Sequence, residues 1–250
     1  MEASAYIGSA AAGLVYFVLG ARLVPLGIRN RSAAEWLLGL AFLIWALSYA
    51  LWVIAISLQG QPVLKSQLLI ASRLATNLGG ISFVFFPLVA FRRGSIWAKW
   101  LSTSCAICLV IGTAGSIWVG DPEGIEPLSN VWWWFDWIGE IAPAIWIGVE
   151  GLHHYGTTRP RVRLGLCKPI VGHRFLLWGI AGVFWTLLDF VIVGQYIEYW
   201  ATHTWSATLD KFVGCCEIAA LVMAWLIYFP PRFYLRWIAG AAPAAQPKEA

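Results

Sequence analysis

Residues 33–57 read AAEWLLGLAFLIWALSYALWVIAIS, a stretch of 25 positions with one charged side chain, Glu35. A transmembrane helix needs about 20 consecutive, mostly apolar residues. Comparable stretches occur at about 5–28, 66–91, 96–119, 130–154, 173–198 and 207–230. The sequence therefore predicts an all-α bundle of seven transmembrane helices, which forms a single membrane domain over residues 1–240.

The composition supports a chain that lies mostly in lipid. Of the 250 residues, 60% are hydrophobic and 12% are charged, whereas an average soluble domain has about 25% charged residues. The 17 tryptophans also suit a membrane protein, because amphipathic rings favour the membrane–water interface. Seven spans leave only short loops and a tail, so no soluble domain and no nucleic-acid partner are expected.

The basic residues predict the orientation of the chain. Lys and Arg are concentrated in the first, third and fifth loops and in the tail, and the loops between them have almost none. The fourth loop instead carries Asp121, Glu123 and Glu126. Because basic loops stay in the cytoplasm, we expect the N-terminus outside and the C-terminus in the cytoplasm.

The segment after the seventh helix predicts a surface helix. Residues 232–239 read RFYLRWIA, which places Arg232 and Arg236 on one face with aromatic side chains beside them. Such a helix suits the inner leaflet, where basic side chains meet anionic headgroups. The tail at 241–250 is rich in Ala and Pro, and we expect it to be disordered.

Ionisable residues within the spans indicate a polar cavity, because such residues are costly in lipid and usually face the bundle interior. The candidate ligand-binding residues are Arg73, Asn77, Asp136, Glu140, Trp185, Asp189 and Glu217. They predict a cavity in the outer half, open to the outside and lined by the third, fifth, sixth and seventh helices. With one arginine against four carboxylates, some acids should be protonated or neutralised by a bound cation. Alternatively, Arg73 pairs with one acid while the others bond to backbone or reach water.

Other chemistry has weaker signals. Glu150 and His153 form a Glu-x-x-His motif, but a di-iron bundle needs a second such motif, and the sequence has none. Lys211 lies too near the outer end of its helix for a retinal Schiff base. We find no nucleophile or histidine set for an enzyme, so no catalytic residue, metal or cofactor is predicted.

The inner loops carry a resemblance to a known family. Residues 161–169 read RVRLGLCKP, and residues 174–179 read RFLLWG. This segment resembles the pattern RxRLGLxDPxxxxRFxLWG of an uncharacterised family of bacterial seven-helix integral membrane proteins, and Phe91-Arg92-Arg93-Gly94 resembles another segment of that family. Lys168 stands where that pattern usually has an acid. The resemblance implies a bacterial inner-membrane protein and supplies no activity.

The same loops predict contacts in the cytoplasm. Their arginines are expected to bind lipid headgroups, a partner protein, or both. The candidates are Arg92, Arg93, Arg159, Arg161, Arg163 and Arg174.

Three functions remain open at this point. The first is a receptor or sensor that binds a small ligand, cation or proton in the cavity and signals through a cytoplasmic partner. The second is a proton- or cation-coupled transporter of small solutes, and the third is a lipid-modifying enzyme. A cavity sealed on its inner side favours a receptor, whereas a continuous polar track favours transport.

Overall fold

The computed structural model describes residues 3–58, 60–120, 130–204 and 206–240, and these residues are almost entirely helical. The helices are α1 (Ala3–Asn30), α2 (Ala33–Ser57), α3 (Pro62–Phe91), α4 (Ile96–Trp118), α5 (Val131–Arg163), α6 (Pro169–Thr202), α7 (Ala207–Tyr228) and α8 (Arg232–Gly240). The all-α prediction is confirmed. The predicted acidic loop with Asp121, Glu123 and Glu126 and the predicted disordered tail at 241–250 lie outside the described residues.

The long helices pack as a closed ring. Each of α1 to α6 contacts the next helix in the chain, and α7 returns to contact α1. α3 also reaches across the bundle to α5. A core of buried apolar side chains from α1, α2, α3, α5, α6 and α7 fills the centre. The ring therefore brings side chains that are far apart in the sequence to one central axis.

Six of the described helices are long and apolar enough to cross a membrane, namely α1, α2, α3, α4, α6 and α7. The protein is therefore a multi-pass membrane protein. α5 falls short of the same criterion although it has 33 residues, because Asp136, Glu140 and Glu150 lower the hydropathy of its central turns.

α5 extends further than the sequence predicts. It ends at Arg163, nine residues beyond the predicted end at 154, so Arg159, Arg161 and Arg163 lie on a helix and not in a loop. The amide of Leu166 donates to the carbonyl of Arg161 at 2.9 Å, and the amide of Gly165 donates to that of Val162 at 3.0 Å. These two bonds form a Schellman motif, which needs the positive φ of 71° that Gly165 adopts.

α5 and α6 pack through glycines. Gly148 and Gly151 of α5 face Gly182 and Gly179 of α6, and a Cβ atom on Gly151 would lie 2.8 Å from the Cα atom of Gly179. Small residues at such contacts let two helix backbones approach closely in a membrane, where apolar burial gives no drive for association. The two helices that carry Glu140 and Asp189 are thus held together by direct backbone contact.

The arginines of the inner loops gather at one end of the bundle. We call this end, defined by Arg92, Arg93, Arg159, Arg161, Arg163 and Arg174, the basic end. α8 lies there against α6, with the rings of His173 and Trp237 at 5.8 Å. The predicted helix at 232–239 is present, and it exposes Phe233 and Trp237 while it buries Ile238.

Candidate ligand cavity

A cavity of about 440 Å³ lies within the ring of helices, in the size range of small-molecule sites. We call it the bundle cavity. Its walls come from α1, α2, α3, α5, α6 and α7, whereas the sequence predicted only the third, fifth, sixth and seventh helices. Its lining includes the side chains of Tyr16, Trp45, Ser48, Tyr49, Thr76, Phe83, Glu140, Trp185, Asp189, Val213 and Glu217.

Three carboxyl groups face the cavity, from Glu140 on α5, Asp189 on α6 and Glu217 on α7. Asp189 and Glu217 are each 8% exposed. The Tyr49 hydroxyl donates to Glu217 Oε1 at 2.5 Å, and the Tyr49 ring stacks on that of Tyr16 with centroids 5.7 Å apart. Tyrosines from α1 and α2 therefore lie beside Glu217, and Tyr49 bonds to it.

Aromatic rings form the apolar part of the wall. The ring of Phe83 lies 5.2 Å from Trp45 and 5.2 Å from Trp185, the latter edge-on. The Trp45 indole donates to the carbonyl oxygen of Thr76 at 3.0 Å, which fixes its orientation. The cavity thus combines buried acids with rigid aromatic faces.

Hydroxyl groups join α2 to α3 beside the cavity. Ser48 Oγ donates to the Ser72 carbonyl oxygen at 2.9 Å and lies 2.6 Å from the Thr76 hydroxyl. Ser72 Oγ donates back to the Ser48 carbonyl oxygen at 3.0 Å. This reciprocal pair fixes the register of the two helices, so the positions of Trp45 and Tyr49 are set by buried hydrogen bonds.

Three of the seven predicted site residues lie in a separate group. Arg73 on α3 forms an ion pair with Asp136 on α5, and Asn77 donates to Asp136 Oδ1 at 3.3 Å and to Thr113 on α4. None of the three lines the described part of the bundle cavity. We call Arg73, Asn77, Thr113 and Asp136 the ion-pair cluster. Glu140, Trp185, Asp189 and Glu217, by contrast, are brought together around the bundle cavity.

A second carboxylate site lies towards the basic end. Glu150 is 4% exposed and accepts from Arg92 Nε at 2.6 Å and from the Trp146 indole at 3.3 Å. His154 Nε2 lies 3.6 Å from the other oxygen of Glu150, and the His154 ring stacks on Phe175. The hydrogen bond to Glu150 raises the pKa of Arg92 above its usual value. We call these residues the Glu150 network.

The other basic-end candidates face solvent or lipid headgroups. Five of these arginines are exposed, namely Arg93, Arg159, Arg161, Arg163 and Arg174. Within the part of the chain that the structure describes, none of the five forms an ion pair with an acid. Their guanidinium groups are therefore available to anionic groups outside the bundle.

Sequence reasoning missed the contributions of α1 and α2. Tyr16, Tyr49 and Ser48 carry no charge, so they did not stand out among intramembrane residues. The one available signal was the spacing of Trp45, Ser48, Tyr49 and Trp52, which places polar-tipped side chains on one face of α2. Among the described residues no group of three His, Cys, Asp or Glu side chains is arranged to hold a metal ion.

No protein-family profile, curated protein or solved structure matches this chain.

Proposed function

We propose that this protein is a receptor-like membrane protein that binds a small ligand, cation or proton in the bundle cavity and relays binding to a cytoplasmic partner. The observation that carries the proposal is the bundle cavity itself, in which three carboxyl groups and aromatic rings meet among apolar helices. Buried ionisable groups in a membrane are expensive and typically mark function.

The proposal treats α5 as a seventh span. α5 packs between α4 and α6, both of which are apolar enough to cross a membrane. The polar residues that lower its hydropathy face protein, since Asp136 meets Arg73 and Glu140 faces the cavity. Seven spans place the N-terminus outside and the basic end in the cytoplasm. The resemblance of the 161–179 segment supports a bacterial inner membrane.

The inner side of the bundle cavity favours a receptor over a transporter. Five buried apolar side chains of one core cluster form what we call the apolar plug, namely Phe83, Phe86, Ile147, Trp178 and Leu221. Phe86 and Trp178 pack with ring centroids 4.7 Å apart. The plug lies between Glu140 and Glu150, which are ten residues apart on α5 and hence separated by about 15 Å. A dense apolar layer opposes passage of a hydrated solute.

The Glu150 network supports the alternative, a proton- or cation-coupled transporter. Its buried carboxylate and His154 supply polar groups on the far side of the apolar plug. Transport would require Phe86 and Trp178 to separate in another conformation. In the receptor proposal α5 and α6 connect the two ends of the bundle, because each is one continuous helix that carries a cavity acid and at least one arginine of the basic end.

Filling the cavity tests the proposal. Val213→Trp places an indole among the lining residues, from a half-buried position on α7. We expect small molecules that raise the melting temperature of the purified protein in detergent to lose that effect in Val213→Trp. At a ligand concentration of 100 times Kd the lost stabilisation is about 2.7 kcal/mol.

The matched control is Val222→Trp, which puts the same side chain on an exposed position of the same helix and should keep the ligand response. A parallel measurement in proteoliposomes separates the two functions. Solute uptake driven by a pH gradient, abolished in Glu217→Gln, would replace the receptor proposal with the transporter.

A further inference from the structure

We infer that the ligand of the bundle cavity is an organic ammonium cation, held by the Asp189 carboxylate and the aromatic wall. The inference rests on the proposed function, because it names the chemical class of the ligand for that cavity. It follows from three features of the cavity, namely its acidic lining, the lack of a hydrogen-bond donor to the Asp189 carboxyl group and its aromatic walls.

The charge balance selects a cation. Glu140, Asp189 and Glu217 line the cavity, and no Lys, Arg or His does so among the described residues. The nearest guanidinium, that of Arg73, is paired with Asp136 in the ion-pair cluster, although its charge also acts on Glu140. An anionic ligand would meet carboxyl groups on three sides and no basic side chain, whereas a cation could pair with any carboxyl group that is ionised.

Among the described residues neither Asp189 nor Glu140 has a hydrogen-bond donor, but the charge of Arg73 acts on Glu140 and not on Asp189. The Asp189 side chain is more than nine-tenths buried, and within the described part of the chain no side chain or amide donates a hydrogen bond to its carboxyl group. Glu217, by contrast, accepts a hydrogen bond from Tyr49. Glu140 interacts electrostatically with both Asp189 and Arg73. A buried, unpaired carboxylate is unfavourable, and a cationic ligand beside Asp189 would remove that penalty.

The walls favour an organic cation over a metal ion. Metal ions such as Ca²⁺ take six or more oxygen ligands, and the described residues offer no cluster of that kind. The aromatic side chains of Trp45, Phe83 and Trp185, which line the cavity, instead suit an ammonium group with an apolar body, through cation–π attraction and dispersion. Trp185 lies one turn before Asp189 on α6, so one helix presents both an aromatic face and the counter-charge.

Matched pairs of probes test the inference in the purified full-length protein. Tryptamine is compared with indole-3-ethanol, and choline with 3,3-dimethylbutan-1-ol, so that each neutral alcohol reproduces the shape of a cation. We expect the cations to raise the melting temperature, and the neutral members to do so far less. Choline, which has no indole of its own, should also quench or shift tryptophan fluorescence. This comparison needs no mutation, so it stands even if a variant fails to fold.

The variant Asp189→Asn keeps the shape of the side chain and removes its charge. We expect it to fold and to bind the cationic probes about 30-fold more weakly or worse, as when one partner of a buried charge pair is removed. The control is Asp210→Asn on α7, because Asp210 is exposed and its partner Gln195 keeps a hydrogen-bond acceptor. This control should bind the probes as the parent protein does.

The outcomes separate the inference from the proposed function. If a neutral alcohol binds as tightly as its cation and Val213→Trp blocks both, the cavity binds a ligand and the ammonium inference is wrong. If Ca²⁺ or Mg²⁺ stabilises the protein through Asp189 and the organic cations do not, the site is a metal site and the inference is again wrong. If Val213→Trp does not reduce the rise in melting temperature caused by any compound, charged or neutral, both the inference and the proposed function are wrong.

Discussion

Replacing Gly182 with leucine is expected to cause the largest loss of stability of any single change in the α5–α6 contact. A Cβ atom at this position would lie 2.5 Å from the Cα atom of Gly148 and 2.8 Å from the Ala144 carbonyl oxygen. Both obstacles are backbone atoms, which cannot rotate away as a side chain can. The helices must separate, so we expect a cost at or above the upper end of the ~1–3 kcal/mol typical of overpacking.

The experiment compares two glycines of one helix. Gly182→Leu and Gly194→Leu have the same chemistry, but a Cβ atom at Gly194 meets nothing within 4 Å. We measure the melting temperature and the monodisperse fraction in detergent, and expect a large fall for Gly182→Leu and a small change for Gly194→Leu. Equal melting temperatures for both variants would show that α5 and α6 are not in backbone contact.

The bundle could be predicted from the sequence because the length of an apolar stretch reports directly on membrane thickness. This held for α2, whose predicted bounds at 33–57 match the structure. It did not hold for the end of α5, where polar residues between His153 and Arg163 continue the helix outside the apolar stretch. The Leu164-Gly165 pair was the available signal, since glycine commonly follows a helix end.

The candidate site was predictable only in part. Glu140, Asp189 and Glu217 stood out because an acid in an apolar stretch is rare, and all three line the bundle cavity. The sequence could not show whether Arg73 pairs with Asp136 or with Glu140, because these two acids lie one turn apart on the same face of α5. Nor could it show the pairing of Tyr49 with Glu217, since residues 168 positions apart share no local pattern.

The second large effect is expected from breaking the ion pair of Arg73 and Asp136. Asp136 is 2% exposed and packs against Gly112 of α4, so its carboxylate cannot turn to water once the guanidinium is gone. Removing one partner of a buried ion pair typically costs about 3–5 kcal/mol, because it leaves an uncompensated buried charge. We therefore expect Arg73→Met to lower the melting temperature in detergent strongly.

A double-mutant cycle distinguishes the charge from the packing of the arginine. Asp136→Asn removes the acid and keeps its shape, so the double variant Arg73→Met with Asp136→Asn leaves no uncompensated charge at position 136. We expect it to recover much of the stability lost in Arg73→Met, as strong non-additivity between neighbours. Arg29→Met, at an exposed arginine of α1, controls for the loss of a guanidinium as such and should have little effect. Additive losses in the cycle would mean that the two side chains contribute independently, and the ion-pair cluster would then be a packing contact that does not depend on charge.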